Sequence, residues 1–251
     1  EAEKEAERAK IASMSAAAKR QLEARKRAEE KKREEEFDEY EYYEDLFGIS
    51  SRSEAKKDTR STKLEAMLLE LPKCYRKDSI DDWAVEFCYV NSKANRKRLA
   101  QALYHLRWSS LELVPLYARL VATLNQVYPD LKGPLIEALR RQFYGLFKSK
   151  DQNRLGTKIK NARFISELVK FQVAPPILAL NCLKTCYSDF KGHAINVCCA
   201  IVETCGRWLY AVPMPKVNEI TKKSLKTMMN LKRSKFLDQN TAYMIDSAYQ
   251  D

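Results

Sequence analysis

Apolar positions recur three and four residues apart from Thr62 onward, which is the spacing of one face of an α-helix. Pro, Gly, Asn or short polar breaks separate these segments, and none gives a strand signal. The pattern therefore predicts a succession of amphipathic helices. Six helices are predicted with both bounds: Thr62 to Leu71, Asp130 to Ser149, one within Lys148 to Phe171, Pro175 and Pro176 to a stop at Gly192, His193 to Ala211, and Val217 to Arg233. Four more are predicted from their start signals alone: at Asp78, at Ser92, at a capping box formed by Ser109 and Glu112, and at Asp238.

Helix pairs with short connections and little glycine are typical of an α-solenoid, in which antiparallel helix hairpins stack in order. We therefore predict an all-α, HEAT-like solenoid over residues 62–251, preceded by a long charged helix. A single globular bundle is the alternative, although about nine helices exceed a four-helix design. The broadest apolar face includes Leu120, and Cys88, Ile177 and Tyr249 also fall on predicted inner faces.

One predicted helix joins an apolar seam to a basic surface, in the stretch KSKDQNRLGTKIKNARFISELVKF from Lys148 to Phe171. The apolar residues at helical spacing, which should face a core, are Ile159, Ala162, Ile165, Leu168 and Val169. Basic residues fall mostly between them, at Lys158, Lys160, Arg163 and Lys170. What these basic residues contact is the main functional question that the pattern raises.

The first 61 residues differ in composition from the rest. Residues 1–36 are almost wholly charged or small, which predicts a single solvated helix; a coiled coil would need a sustained apolar heptad. Residues 37–61 are predicted to be an acidic and aromatic linker, opening with FDEYEYYEDLF. This peptide is either disordered or a docking motif for a basic groove, the nearest of which would be on this chain's own body. The docking side chains would be Phe37, Tyr40, Tyr42, Tyr43, Leu46 and Phe47.

The formal net charge of +11 is unevenly distributed. Residues 1–71 hold 16 Lys and Arg against 19 Asp and Glu, whereas residues 72–251 hold 29 against 15. The helical body therefore favours polyanions or an acidic partner, with a solvated lysine-rich surface as the alternative. No apolar run approaches the roughly 18 residues of a membrane span, so we expect no membrane association. The first residue is Glu1 rather than Met, which suggests a segment of a longer protein.

The chain has seven cysteines, an odd number, and they lie inside apolar helical patterns. This favours free thiols in a reducing compartment, the cytosol or nucleus, with cysteine packing as a small hydrophobe. Buried faces are predicted for Cys88, Cys182, Cys186, Cys198 and Cys205. Cys182, Cys186, His193, Cys198 and Cys199 could together bind zinc. Their spacing matches no zinc-binding motif of the CxxC type, so we prefer packing of these cysteines in the core.

Catalytic patterns find little support. His105 and His193 have no neighbouring nucleophile or carboxylate pair, and there is no Gly-rich phosphate loop. The ETCG segment at 203–206 places Cys205 on an apolar face, which predicts an inert thiol. We therefore expect no enzymatic activity, no cofactor, no metal and no small-molecule substrate.

Basic residues cluster along the predicted hairpins. The candidate contacts for RNA phosphates or an acidic partner are Lys93, Arg96, Lys97, Arg98, Arg140, Arg141, Lys148, Lys150, Arg154, Lys158, Lys160 and Arg163. In a solenoid they could line one edge as a stripe, with ordinary solvated faces as the alternative. No aromatic platform for stacking bases is interleaved with them, which argues against sequence-specific recognition of RNA bases.

Several blocks resemble a known family, in the same order as in that family. They are LPKC at 71–74, EFCYVNSKANRKRL at 86–99, LVPLYARLVATL at 113–124, KDQ at 150–152, TKIKNARFISELVKF at 157–171 and ETCGRWLY at 203–210. They resemble the middle domain of initiation factor four gamma, in the form of the second of three such domains in a scaffold of nonsense-mediated mRNA decay. The segment at 153–156, NRLG, departs from the family pattern.

The resemblance implies a stack of antiparallel helix hairpins and a non-catalytic scaffold in mRNA surveillance. Its implied partners are other proteins of the surveillance complex and neighbouring domains of the same scaffold. Its implied location is the cytoplasm, including the perinuclear region. A basic RNA-binding helical-repeat module in mRNA metabolism is the alternative function.

Overall fold

A computed structural model describes residues 59–106, 110–148 and 154–250, which lie in one compact unit, residues 52–251. These ranges contain α-helices and two short 3-10 turns but no strand, so the predicted all-α class is confirmed. The helices are α1 (Thr59–Glu70), α2 (Lys77–Tyr89), α3 (Lys93–Tyr104), α4 (Val114–Val127), α5 (Lys132–Lys148), α6 (Leu155–Lys170), α7 (Pro176–Ser188), α8 (His193–Ala211), α9 (Pro215–Ser234) and α10 (Gln239–Gln250).

The helices form two layers. In the even layer α2 packs on α4, α4 on α6, α6 on α8 and α8 on α10, while in the odd layer α1 packs on α3, α3 on α5 and α7 on α9. Consecutive helices from α5 to α10 also pack across the two layers. Helices that alternate between two layers in chain order form stacked hairpins, so the predicted helical-repeat architecture is confirmed.

Several helix boundaries follow the local signals in the sequence. The Ser92 side chain accepts a hydrogen bond from the Asn95 backbone N–H at 3.1 Å, and Asp238 accepts one from the Thr241 N–H at 3.1 Å. Pro72 lies in the 3-10 turn Leu71–Lys73, which follows α1. Because a proline cannot donate a backbone hydrogen bond, the helix ends there as predicted.

One boundary prediction was wrong and another is not tested. The predicted capping box of Ser109 and Glu112 includes Ser109, which lies outside the described residues; the 3-10 turn Leu111–Leu113 leads directly into α4 at Val114. Gly192 does not stop α7, which already ends at Ser188; it is the residue before α8 and has a φ of +45°. Glycine tolerates this left-handed conformation without steric cost, so its role is to admit the turn into α8.

Burial follows the predicted faces in the middle of the helices and departs from them at the ends. Leu120 in α4 is fully buried, as predicted. Cys88, Ile177 and Tyr249 were predicted to face inward, but all three are exposed. Each lies in the first or last turn of its helix, where the apolar period continues but the neighbouring helix no longer covers it.

Candidate partner-binding surface

Lys160 is buried in the structure, which corrects its predicted place on an exposed basic face. Only 4% of its surface is accessible, and its Nζ donates hydrogen bonds to the backbone oxygens of Tyr104 at 3.2 Å and Leu106 at 3.1 Å. The last carbonyls of a helix have no partner within the helix and carry its negative dipole end. Lys160 therefore joins α6 to the end of α3, and its role is structural.

Lys158 is also 4% exposed and lies near the end of α5, with its Nζ 5.8 Å from the centroid of the Phe147 ring. The physical reason for both errors is the position of α6, which packs against α4, α5, α7 and α8. A helix with neighbours on so many sides has little surface for solvent. Lysine stems are apolar enough to be covered while the ammonium finds polar or aromatic partners.

Most arginines of the predicted stripe form ion pairs within the chain. The pairs are Arg96 with Asp130, Arg98 with Glu65, Arg140 and Arg141 with Glu137, and Arg163 with Glu203. The hydrogen bonds and charges of Arg140 and Arg141 hold the pKa of Glu137 below its usual range. Such exposed pairs contribute about 0–1 kcal/mol each, but their carboxylates reduce the attraction for phosphate groups.

The remaining stripe residues are partly or fully exposed. Lys93 and Lys148 are exposed, while Lys97 and Arg154 are half-buried. Lys150 lies outside the described residues. So do Phe37, Tyr40, Tyr42, Tyr43, Leu46 and Phe47, and the docking motif that they form stays a prediction.

A cleft opens in the odd layer between α5 and α7, and we call it the basic cleft. It has a volume of about 400 Å³ and is lined by Tyr144, Phe147 and Lys148 of α5, Lys158 of α6, Thr185 and Ser188 of α7, Asp189 and Lys191 of the following loop, and His193 and Ala194 of α8. The cleft exists because α5 and α7 barely touch, whereas α3 with α5 and α7 with α9 pack closely.

The aromatic residues of this cleft were not among the predicted site residues. Tyr144, Phe147 and Lys148 lie within about one helical turn of α5, which is a local signal that could have been noticed. Lys191 comes from a distant loop, so only the fold brings it to the same cleft. The predicted absence of an aromatic platform for stacking bases stays a prediction.

A second cleft, of about 250 Å³, lies on the even layer, and we call it the mixed-charge cleft. Arg163, Glu167 and Lys170 of α6 and Glu203 of α8 line it, beside apolar residues from the start of α4. Glu167 is 6% exposed and binds Lys170 through one carboxylate oxygen at 3.0 Å. Its other oxygen and the Nε of Arg163 have no hydrogen-bond partner in the described ranges. The opposite charges nearly balance, so this cleft favours no single sign of ligand.

The thiols of the even and odd layers pack as hydrophobes. Five cysteines are buried, and burial raises the pKa of Cys182, Cys199 and Cys205 to about 12. A raised pKa disfavours the thiolate that metal binding and nucleophilic attack require. Within the described residues, no group of three or more His, Cys, Asp or Glu is arranged to hold a metal ion. None of the described helices is both long and apolar enough to cross a bilayer.

Stacked helix hairpins define a helical-repeat domain, the class to which this chain belongs. The comparison with family models gives the particular family. Residues 65–251 match the MIF4G domain, and the chain is a member of the MIF4G domain family. The family resemblance found in the sequence is thereby confirmed.

Curated relatives carry names from one pathway. "Regulator of nonsense transcripts UPF2" of Arabidopsis thaliana is 42% identical over 185 residues, which cover 74% of this chain and 16% of the plant protein. "Regulator of nonsense transcripts 2" of Homo sapiens is 41% identical over 187 residues, 74% of this chain and 14% of that protein. "Nonsense-mediated mRNA decay protein 2" of Schizosaccharomyces pombe is 32% identical over 157 residues, which cover 62% of this chain and 15% of that protein. The chain thus spans about one-sixth of the length of these relatives.

Proposed function

We propose that this chain is a non-catalytic scaffold domain that organises protein–protein contacts in nonsense-mediated mRNA decay. The observation that carries the proposal is the identity of 42% and 41% to two regulators of nonsense transcripts, together with the match of residues 65–251 to the MIF4G domain. The partners would be other proteins of the decay pathway and neighbouring domains of the same scaffold. We place this activity in the cytoplasm; a perinuclear location stays a prediction.

The surface chemistry of the domain supports a binding role. Both clefts are lined by charged side chains that are suited to polar recognition. The buried thiols with raised pKa values are poor nucleophiles. In the basic cleft the Ser188 hydroxyl donates its hydrogen to the backbone oxygen of Thr185 at 2.7 Å, so that hydrogen is committed within α7. A serine nucleophile would instead donate it to a base.

A chimeric protein tests the proposal. Residues 65–251 replace the matching segment of the Arabidopsis thaliana relative, and the half-life of a reporter mRNA with a premature stop codon is measured in plants that lack the native protein. We expect the chimera to restore rapid decay, whereas a protein without the segment should not. A chimera that accumulates normally but leaves the reporter as stable as in the deletion would contradict a scaffold role in this pathway.

RNA binding is a second candidate function, and the excess of basic residues after position 71 is the observation that favours it. Among the described lysines of the predicted stripe, Lys93 and Lys148 are exposed and Lys97 is half-buried. If they contact phosphates, RNA affinity should fall steeply with salt, and this dependence should flatten when all three become Glu. Lys158 and Lys160 are unsuitable for this test, because a carboxylate at a buried position would destabilise the fold. Undetectable binding at low salt would eliminate this candidate.

A further inference from the structure

The basic cleft carries more positive than negative charge. Among the described residues that line it, three are lysines, Lys148, Lys158 and Lys191, and one is a carboxylate, Asp189. Lys148 and Lys191 are exposed at its edges, while Lys158 lies at the buried end. The cleft also meets the first turn of α8, the positive end of that helix dipole, where no side chain caps the backbone. Three ammonium groups and a helix N-terminus around one space favour a ligand with several negative charges.

The aromatic residues of the cleft offer a packing surface for one apolar side chain. They do not form a row of open rings on which successive bases could stack. The Phe147 ring stacks on Phe143 at 4.7 Å between centroids and also has the Lys158 ammonium over it. These contacts engage the Phe147 ring and leave Tyr144, which is 36% exposed, as the accessible aromatic surface. Single-stranded nucleic acids bind tightly where several aromatic faces are open in a row. This arrangement favours one apolar anchor.

The hydroxyl groups of the cleft are set up to accept hydrogen bonds. Thr185 donates its hydrogen to the Asn181 backbone oxygen at 3.0 Å, and Ser188 donates its hydrogen to the Thr185 oxygen. The Thr185 oxygen already has the Tyr144 hydroxyl as a hydrogen-bond partner, so the Ser188 oxygen and the Asp189 carboxylate remain as acceptors. A peptide backbone supplies N–H donors for such acceptors, whereas a phosphodiester backbone consists mainly of acceptors.

We propose that the basic cleft binds an acidic peptide segment of a partner protein. Carboxylates of the peptide contact Lys148 and Lys191 and approach Lys158. Its backbone N–H groups bind the Ser188 oxygen and the Asp189 carboxylate, and one apolar side chain packs on Tyr144. The inference rests on the proposed scaffold function, because it names the partner chemistry of one surface of that scaffold.

Fluorescence anisotropy with a labelled short peptide of glutamate and tyrosine tests the inference on the full 251-residue chain. The cleft variant carries Lys148→Glu and Lys191→Glu. The control variant carries Lys73→Glu and Lys77→Glu, the same change of charge at two exposed positions outside the cleft. We expect the cleft variant to bind the peptide about tenfold more weakly, and the control variant within about twofold of the unmodified chain. If the cleft variant melts at a lower temperature, Lys148→Gln with Lys191→Gln replaces it, with the same expected direction.

Three results would overturn the inference. They are undetectable peptide binding by the unmodified chain at low salt, equal weakening by the cleft and control variants, and a labelled oligouridylate that binds more tightly than the peptide and loses more affinity in the cleft variant. The last result would assign the cleft to nucleic acid. The chimera assay separates the two proposals: a chimera that restores decay while its cleft variant binds peptide normally removes the cleft inference and leaves the scaffold role intact.

Discussion

At the scale of single residues, a charged side chain affects the stability of the fold most where it is buried. The ammonium of Lys160 replaces solvent with two backbone carbonyls, and Asn161 beside it donates to the Leu139 oxygen at 3.1 Å and to the Gln142 side chain at 2.6 Å. Lys160 thus connects α6 to the end of α3, and Asn161 connects α6 to the middle of α5. Hydrogen bonds of this kind specify how helices are placed as well as how strongly they hold.

We expect Lys160→Met to lower the free energy of unfolding by about 1–3 kcal/mol, because two buried carbonyls lose a charged donor. Urea unfolding followed by circular dichroism measures the loss. Lys93→Met is the control, since Lys93 is an exposed lysine and its replacement should change stability by less than about 0.5 kcal/mol. Equal stability of the two variants would show that the contacts of Lys160 do not stabilise the fold.

The buried thiols should make the protein less stable in alkali. Burial raises the pKa of Cys205 to about 12, from a reference value of 9.0. The folded state therefore retains a proton that the unfolded state releases, so stability is full below pH 9 and declines as the pH rises from 9 towards 12. We compare unfolding of the unmodified chain and Cys205→Ala across this range. The stability advantage of the unmodified chain should shrink above pH 9; an advantage independent of pH would contradict the raised pKa.

At the scale of helices, the sequence predicted burial better in the middle of a helix than at its ends. The apolar period identified the inner face of α4 because Leu120 lies where α2 and α6 cover that helix. The same period placed Ile177 inward, but it is 49% exposed in the first turn of α7. Periodicity is a property of one helix, whereas burial depends on how far its neighbours extend.

Leu120→Ala and Ile177→Ala compare these two positions directly. We expect the first to lower the free energy of unfolding by about 2–5 kcal/mol, because it leaves a cavity at a fully buried site. The second removes a half-exposed side chain at a helix end and should cost less than about 1 kcal/mol. Denaturant midpoints of the two variants give the comparison. Similar losses at both positions would mean that the ends of α7 are as well packed as the middle of α4.

The candidate site was harder to predict than the fold. Sequence spacing located the basic residues, but α6 has neighbours in both layers, so Lys158 and Lys160 are buried. The basic cleft depends on the poor contact between α5 and α7 and on a loop lysine, Lys191, that is remote in sequence. The apolar period of one helix indicates neither how far α5 lies from α7 nor that Lys191 comes close to residues of α5.

At the scale of the whole molecule, the described helices form two stacked layers, and only the odd layer is interrupted. The odd layer is continuous from α1 to α5 and from α7 to α9, and the basic cleft lies at the break between them. Packed helices on both sides of the cleft fix the backbone positions from which its charged side chains extend. Such pre-organisation lowers the entropy cost of binding.

The most direct test of the central claim, that this chain acts by binding proteins, is carbodiimide cross-linking of the chimera purified from plants with its decay complex. Carbodiimide joins lysine ammonium groups to carboxylates in direct contact, and mass spectrometry identifies the joined residues. We predict that Lys148 and Lys191 are linked to Asp or Glu side chains of another protein of the decay pathway. Links confined to the chimera itself, with ultraviolet cross-links to RNA at the same lysines, would contradict the account.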